Sequence, residues 1–318
     1  WTKKIEEDNL DPISFANDLP VKSSALKNLA KNQMMYPAGE IQEWQEPTPV
    51  LTTQLHIPYE LNSVQHYSVL LAALHFEKAE TISKLSRQVV ARSLLYIFAQ
   101  ERTQSFETII PSWANAISQM SKSSDPDDLD EIYLTKAFQV ENPIHILESA
   151  MRNNMASWSW ENASEKKKIR ALFALLNLEL DLHFNAPELM RTRRKPGELT
   201  GWELDHIMPK SLVADKWVHR MGNLTLLAPN ENTWANNTPP INKISENLYS
   251  NSDVFLTKIC DDLAKRNPLE RENILEVLGE AGVSINYKID TNWDEESTAA
   301  RTQFLIDWAC YALIGRYT

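Results

Sequence analysis

Residues 203–243 read ELDHIMPKSLVADKWVHRMGNLTLLAPNENTWANNTPPINK. Asp205 stands directly before His206, and Asn223, Asn232 and Lys243 follow at intervals that a strand, a loop, a second strand and a helix can span. This set of side chains suits hydrolysis of a phosphodiester. That reaction needs an activated water and a cation that stabilises charge on the scissile phosphate and the leaving oxygen. Asp205 and Asn232 offer oxygen ligands, one charged and one neutral, and an oxygen shell suits Mg2+ or Mn2+. His206, with an ordinary pKa near ~6.5, can act as general base at neutral pH. Asn223 can hold the histidine or its loop by hydrogen bonds, and Lys243 can bind a phosphate flanking the cut. An Asp-His pair alone is common in surface turns, so the argument rests on all the parts together.

These residues need elements to hold them. Trp202–Ile207 and GNLTLLAP (222–229) read as two short strands, the one convincing β signal in the chain. The rest is helical in pattern, and only seven glycines argue against a sheet-rich or phosphate-loop fold. Apolar spacing of three and four predicts helices over 63–99, 105–121, 127–139, 143–156 and 164–184. Further helices are expected over 242–249, 252–266, 269–280 and 297–314. Ser164 is the expected cap of the 164–184 helix. Prolines at 12, 20, 37, 47, 49 and 58 break up the first stretch of the chain. The expected architecture is mainly α, a helical protein with a small ββα insert at 202–245. Two regions are expected: a helical scaffold or linker over 1–140, and a helical domain carrying the motif over 141–318.

The pattern DHI-x-P, then GNLTLL, then Asn, then Lys resembles the HNH, or ββα-metal, nuclease fold. More narrowly, it resembles the C-terminal nuclease domain of GmrSD-type modification-dependent restriction endonucleases, and is similar to the nuclease domain of the SspE phage-defence effector. A Leu/Phe-rich helix before the motif and Trp293, Glu296, Arg301 and Leu305 after it fit the same resemblance, which covers 140–318 well and 1–140 loosely. It implies a metal-dependent DNA endonuclease that nicks or cuts foreign DNA in restriction or phage defence. By position it assigns Asp205 and Asn232 to the metal, His206 to the general base and Asn223 to support. Asn232 stands where many HNH nucleases have a second histidine, which marks a His-Asn-Asn variant. Such proteins usually carry upstream a nucleotide-hydrolysing domain that senses DNA modification. Its Asp-Gly-Gln-Gln-Arg signature is absent, so that activity is expected on a separate subunit or an upstream segment.

Composition qualifies this picture. The formal net charge of -11 makes the chain a poor non-specific polyanion binder. Basic residues gather locally, however, with eight Lys/Arg against six acids across 161–200. The RTRRK run (Arg191, Arg193, Arg194, Lys195) can grip a DNA backbone or form a solvated loop. Lys210, His219 and Arg220 are further candidate DNA contacts, His219 being equally at home in solvent. The KKKIR run at 166–170 reads as a solvated helix face, and Trp158 and Trp160 read as core. The net charge also sustains a rival reading, a catalytically inactive ββα module that binds DNA or docks a partner. Cys260 and Cys310 lack CxxC spacing and read as buried thiols, which argues against a zinc hydrolase. No apolar run reaches the ~18 residues of a membrane span, and no signal peptide is evident, so a cytoplasmic protein is expected.

Overall fold

The computed structural model describes residues 61, 63, 65–100, 103–129, 144–183, 203–252, 254–261 and 268–315. The helix expected over 63–99 is two helices, α1 (His66–Ala72) and α2 (Ala79–Ala99), joined by a 3-10 turn. The helix α3 (Thr103–Ser118) follows and packs on α1. Gln100 ends α2 in the left-handed conformation (φ 57°), its N–H returned to Tyr96 and Ile97. The helix expected over 127–139 begins at Asp128, and the rest of it lies outside the described residues.

Leu147, Met151 and Met155 fall at intervals of four on α4 (Ile144–Ala156), a buried stripe that lies against α2. The next helix, α5 (Ala163–His183), is capped by Asn162 rather than by the expected Ser164. The Asn162 Oδ1 accepts from the backbone N–H of Ser164 (2.9 Å) and Glu165 (3.3 Å), and its Nδ2 donates to Glu165 Oε1 (3.1 Å). Glu165 also accepts from Ser159 N (2.8 Å), so the turn before α5 is fixed at both ends.

The two strands are β1 (Glu203–His206) and β2 (Leu224–Leu227), antiparallel, with Asp205 opposite Thr225 and His206 opposite Leu224. Two 3-10 turns, Lys216–His219 and Met221–Asn223, lead into β2. After β2 come α6 (Pro229–Ala235), α7 (Pro240–Ser245), α8 (Leu248–Asn251) and α9 (Phe255–Lys258). The helix expected over 242–249 is therefore split, with Asn247 at φ 58° marking the break. The chain continues through α10 (Pro268–Glu280) to α11 (Glu295–Cys310), whose Asp294 cap accepts from Ser297 N (2.9 Å).

Two cores meet at the sheet. Leu204, Met221, Leu224 and Leu226 join the main core, which includes Trp113, Trp158, Phe173 and Trp308. Ile207, Trp217, Val218, Leu227, Tyr249 and Trp293 form a smaller one beneath the motif. Burying so many large apolar side chains, each worth ~1.5–3 kcal/mol, makes the helical body a stiff mount for two very short strands.

Candidate active site

Arg301 sets the loop that feeds β2. Fully buried on α11, it donates from Nη1 to the carbonyls of Gly222 (2.8 Å) and Leu224 (2.5 Å). Thr302 Oγ1 accepts from Gly222 N (3.1 Å). A side chain at 222 has no room, since a Cβ there falls 2.0 Å from the Thr298 carbonyl oxygen. Glycine is therefore required by close approach of α11.

Asn223 is a brace with every hydrogen-bonding capacity used. Its Oδ1 accepts from Met208 N (2.8 Å) and from Trp293 Nε1 (2.8 Å). Its Nδ2 donates to the carbonyls of Met208 (3.0 Å) and Val218 (2.7 Å). It ties the loop after β1 to the loop before β2, and holds both to the segment preceding α11.

Asp205 is buried, 3 % exposed, and its partner is Lys243, 0 % exposed. The Lys243 Nζ donates to both carboxylate oxygens, at 3.0 and 2.8 Å, and to the carbonyl of His206 at 2.6 Å. Tyr249 Oη adds a bond to Asp205 Oδ2 at 3.3 Å. Burial pushes the Asp205 carboxyl up and the Lys243 ammonium down, while their mutual attraction opposes both shifts. The structure thus gives Lys243 a different position from a phosphate-facing lysine: its three donors are spent inside the fold.

His206 ends β1, half-buried, with its Nε2 enclosed and without a hydrogen-bond partner. Trp160 and His219 meet its ring edge to face, centroids 5.2 and 5.5 Å away. Burial first, then the nearby His219, Lys210, Lys243 and Lys166, lower its pKa to about 3. The imidazole is therefore neutral at physiological pH, and a weak base while these cations stand uncompensated. An anion drawn to these cations raises that basicity.

Asn232, on α6, donates from Nδ2 to Glu203 Oε2, on the strand face that Asp205 shares. Sequence reasoning missed Glu203; strand alternation two residues before Asp205 was the available signal. His219 is not solvent-exposed as a loop histidine would be. It stacks on Trp160 (5.9 Å, 20°) and faces Glu161 at 3.7 Å. Arg220 is exposed and reaches Glu295 at 3.3 Å. Lys210 is exposed beside His206. Arg191, Arg193, Arg194 and Lys195 lie outside the described residues. Among the described residues, no three His, Cys, Asp or Glu side chains cluster as a metal site. What the site offers a cation is oxygen: Asp205, Glu203 and the Asn232 amide. That chemistry fits a hard divalent ion, which at Asp205 meets Lys243 as a competitor.

The elements that build and clamp this site, from α4 through α11, are those matched by a known family. Residues 149–308, half of the chain, match the model for the C-terminal domain of GmrSD restriction endonucleases. The chain belongs to this family. No curated protein matches it. Membership in the GmrSD C-terminal family accounts for the span of the match. It takes in Trp293 and Arg301, which never enter the motif in sequence yet hold Asn223 and Gly222 in space. As a restriction endonuclease domain, it implies DNA as substrate. Among the described residues, no helix is long and apolar enough to cross a membrane.

Proposed function

We propose that this GmrSD-family chain is a Mg2+- or Mn2+-dependent HNH endonuclease of the ββα-metal type. It hydrolyses DNA phosphodiester bonds, nicking or cutting foreign or phage DNA in the cytoplasm. The observation that carries the reading is placement: His206 ends β1 directly after Asp205, with Asn223 bracing the loop that follows and Lys166 and Lys210 gathered nearby. His206 takes the proton of the attacking water. Asn223 fixes the loop that follows the base, and Lys243 fixes Asp205 and the His206 carbonyl. Asp205 and Asn232, with Glu203 alongside, would hold the cation, which when bound polarises the scissile phosphate and stabilises the leaving oxygen. Modification sensing and nucleotide hydrolysis belong, on this reading, to a separate or upstream domain. Residues 1–140 act as helical scaffold or linker to it, and 141–318 as the nuclease-bearing domain.

One observation favours the inactive-module alternative: Asp205 is already neutralised by Lys243. Supercoiled plasmid and Mn2+ separate the two readings. The expected result is nicking by the wild type, abolished in His206→Ala, with a Mn2+-dependent rise in Tm. Equal nicking by His206→Ala would remove it from the base role. No Tm response and no nicking in any divalent metal would favour the inactive module.

A further inference from the structure

Outside the motif, the turn at 157–162 and the first turns of α5 put a second set of groups against His206. Trp160 is bolted to the motif's own loop. Its backbone N–H donates to the His219 carbonyl (2.8 Å), Met221 N donates to the Trp158 carbonyl (3.1 Å), and the Ser159 backbone bridges Arg220. Two ammonium groups converge on its indole: Lys166 Nζ at 4.4 Å from the ring centroid and Lys210 Nζ at 4.6 Å. They come from different elements, α5 and the loop after β1. Neither has a carboxylate within ion-pair distance among the described residues, in a chain with eleven more acidic than basic side chains. Arg170, one turn along α5, has an enclosed Nε with no hydrogen bond, and so does His219 Nδ1.

Gathering like charges on one ring is costly unless something compensates. The indole face supplies part, typically ~0.5–1 kcal/mol per cation at exposed sites. Crowding still lowers the Lys166 pKa, burial first and then Arg170 and Lys210. What this cluster lacks is a directly paired anion, for Glu203 acts on Lys166 only from beyond ion-pair distance. Glu161 and Glu203 stand nearby, but Glu161 faces His219 and Glu203 is engaged by Asn232.

We propose that Trp160, Lys166 and Lys210 form a phosphate cradle beside His206, the two lysines binding oxygens of the DNA backbone while the indole holds them in place. The cradle rests on the nuclease reading and extends its substrate site onto α5, outside the motif. Lys166 and Lys210 bind and orient the strand, and Trp160 is a positioning residue.

The test is duplex DNA binding by the full chain in EDTA, followed by fluorescence anisotropy across a salt series. Each lysine that contacts a phosphate contributes about 0.9 to the slope of log K against log salt. Lys166→Gln and Lys210→Gln are each expected to reduce the slope by about that amount, and Lys166→Arg to restore it. Trp160→Leu is expected to weaken binding, and Lys122→Gln, an exposed lysine elsewhere, to leave the slope unchanged. Melting temperatures check that each variant is folded. If the wild type binds and nicks DNA while Lys166→Gln and Lys210→Gln keep the wild-type slope, the cradle is wrong and the nuclease reading stands. If the wild type neither binds duplex nor nicks it with Mn2+, both fall together.

Discussion

Replacing Lys243 with Met tests what holds Asp205. Methionine keeps the apolar length of the lysine and removes the charge. In the wild type the carboxylate accepts two bonds from Lys243 and a longer one from Tyr249. The variant leaves a carboxylate 3 % exposed with only Tyr249 and the His206 backbone to stabilise it. Breaking a buried pair from one side typically costs ~3–5 kcal/mol. The carboxylate has one escape, which is to take a proton. From an ordinary pKa near ~3.9, that costs about 4 kcal/mol at pH 7 and about 1.5 kcal/mol at pH 5. The part of the loss due to the bare charge is therefore capped at about 4 kcal/mol at pH 7 and shrinks on acidification. The sign follows from linkage: a carboxyl raised by folding binds its proton more tightly in the folded state. The resulting stability is fully present below the unfolded pKa and is lost as pH rises through the folded one. Urea unfolding followed by circular dichroism at pH 7 and pH 5 reads both numbers. Asp205→Asn combined with Lys243→Met is expected to recover most of the loss, because no bare charge remains. A Lys243→Met cost under about 1 kcal/mol at pH 7, unchanged at pH 5, would refute the buried-pair reasoning and show that Asp205 already reaches water.

Four further outcomes are expected. His206, with its pKa lowered to about 3, stays neutral in the fold while the unfolded chain takes a proton below pH ~6.5. Stability should thus fall by about 2 kcal/mol between pH 7 and pH 5, a slope that His206→Asn flattens in denaturant titrations at several pH values. Gly222→Ala should cost more than about 3 kcal/mol in urea, or prevent folding, because its Cβ meets the Thr298 carbonyl. Gly279→Ala, inside α10 with nothing within 4 Å, should raise stability by roughly 0.5–1 kcal/mol in the same assay. Arg301→Met should lower Tm and, by loosening the Gly222–Leu224 backbone, reduce nicking even though Arg301 lies outside the catalytic set.

The strands and most of the helices were legible because period-two and period-three-to-four patterns survive in them. β1 and β2 fall inside the expected ranges, and α4, α5 and α10 match to within a residue or two. Two boundaries were lost to local chemistry that periodicity does not carry. Asn162 outcompetes Ser164 as a cap because its Oδ1 takes the Ser164 and Glu165 backbone N–H groups while Glu165 holds its Nδ2. The helix at 242–249 breaks at Asn247, one of the few residue types that tolerate positive φ. Within the site, Asp205 and His206 were visible as a pair, but the partner of Asp205 was not. A lysine after two asparagine-rich turns looks like a phosphate contact in one dimension; only burial shows that Lys243 turns inward. Trp160 and Lys166 were hidden for the same reason. They belong to a helix start that reads as core and solvated face, and they become neighbours of His206 only because the 158–160 backbone pairs with 219–221.

The charge of the whole chain is then a weaker objection to a DNA substrate than it looks. At physiological salt the Debye length is ~8 Å, so a phosphate at His206 feels the groups around it far more than acids on distant faces. Those groups are Lys166, Arg170 and Lys210, on low-dielectric walls made by Trp160 and the main core. Lys243 contributes less than its full charge, since it is paired with Asp205 at 2.8 Å. The acids that do stand close are committed to His219 or to Asn232. A globally acidic chain with this local arrangement repels DNA at long range and holds it only where the strand enters the site. Binding should therefore be weak and salt-sensitive.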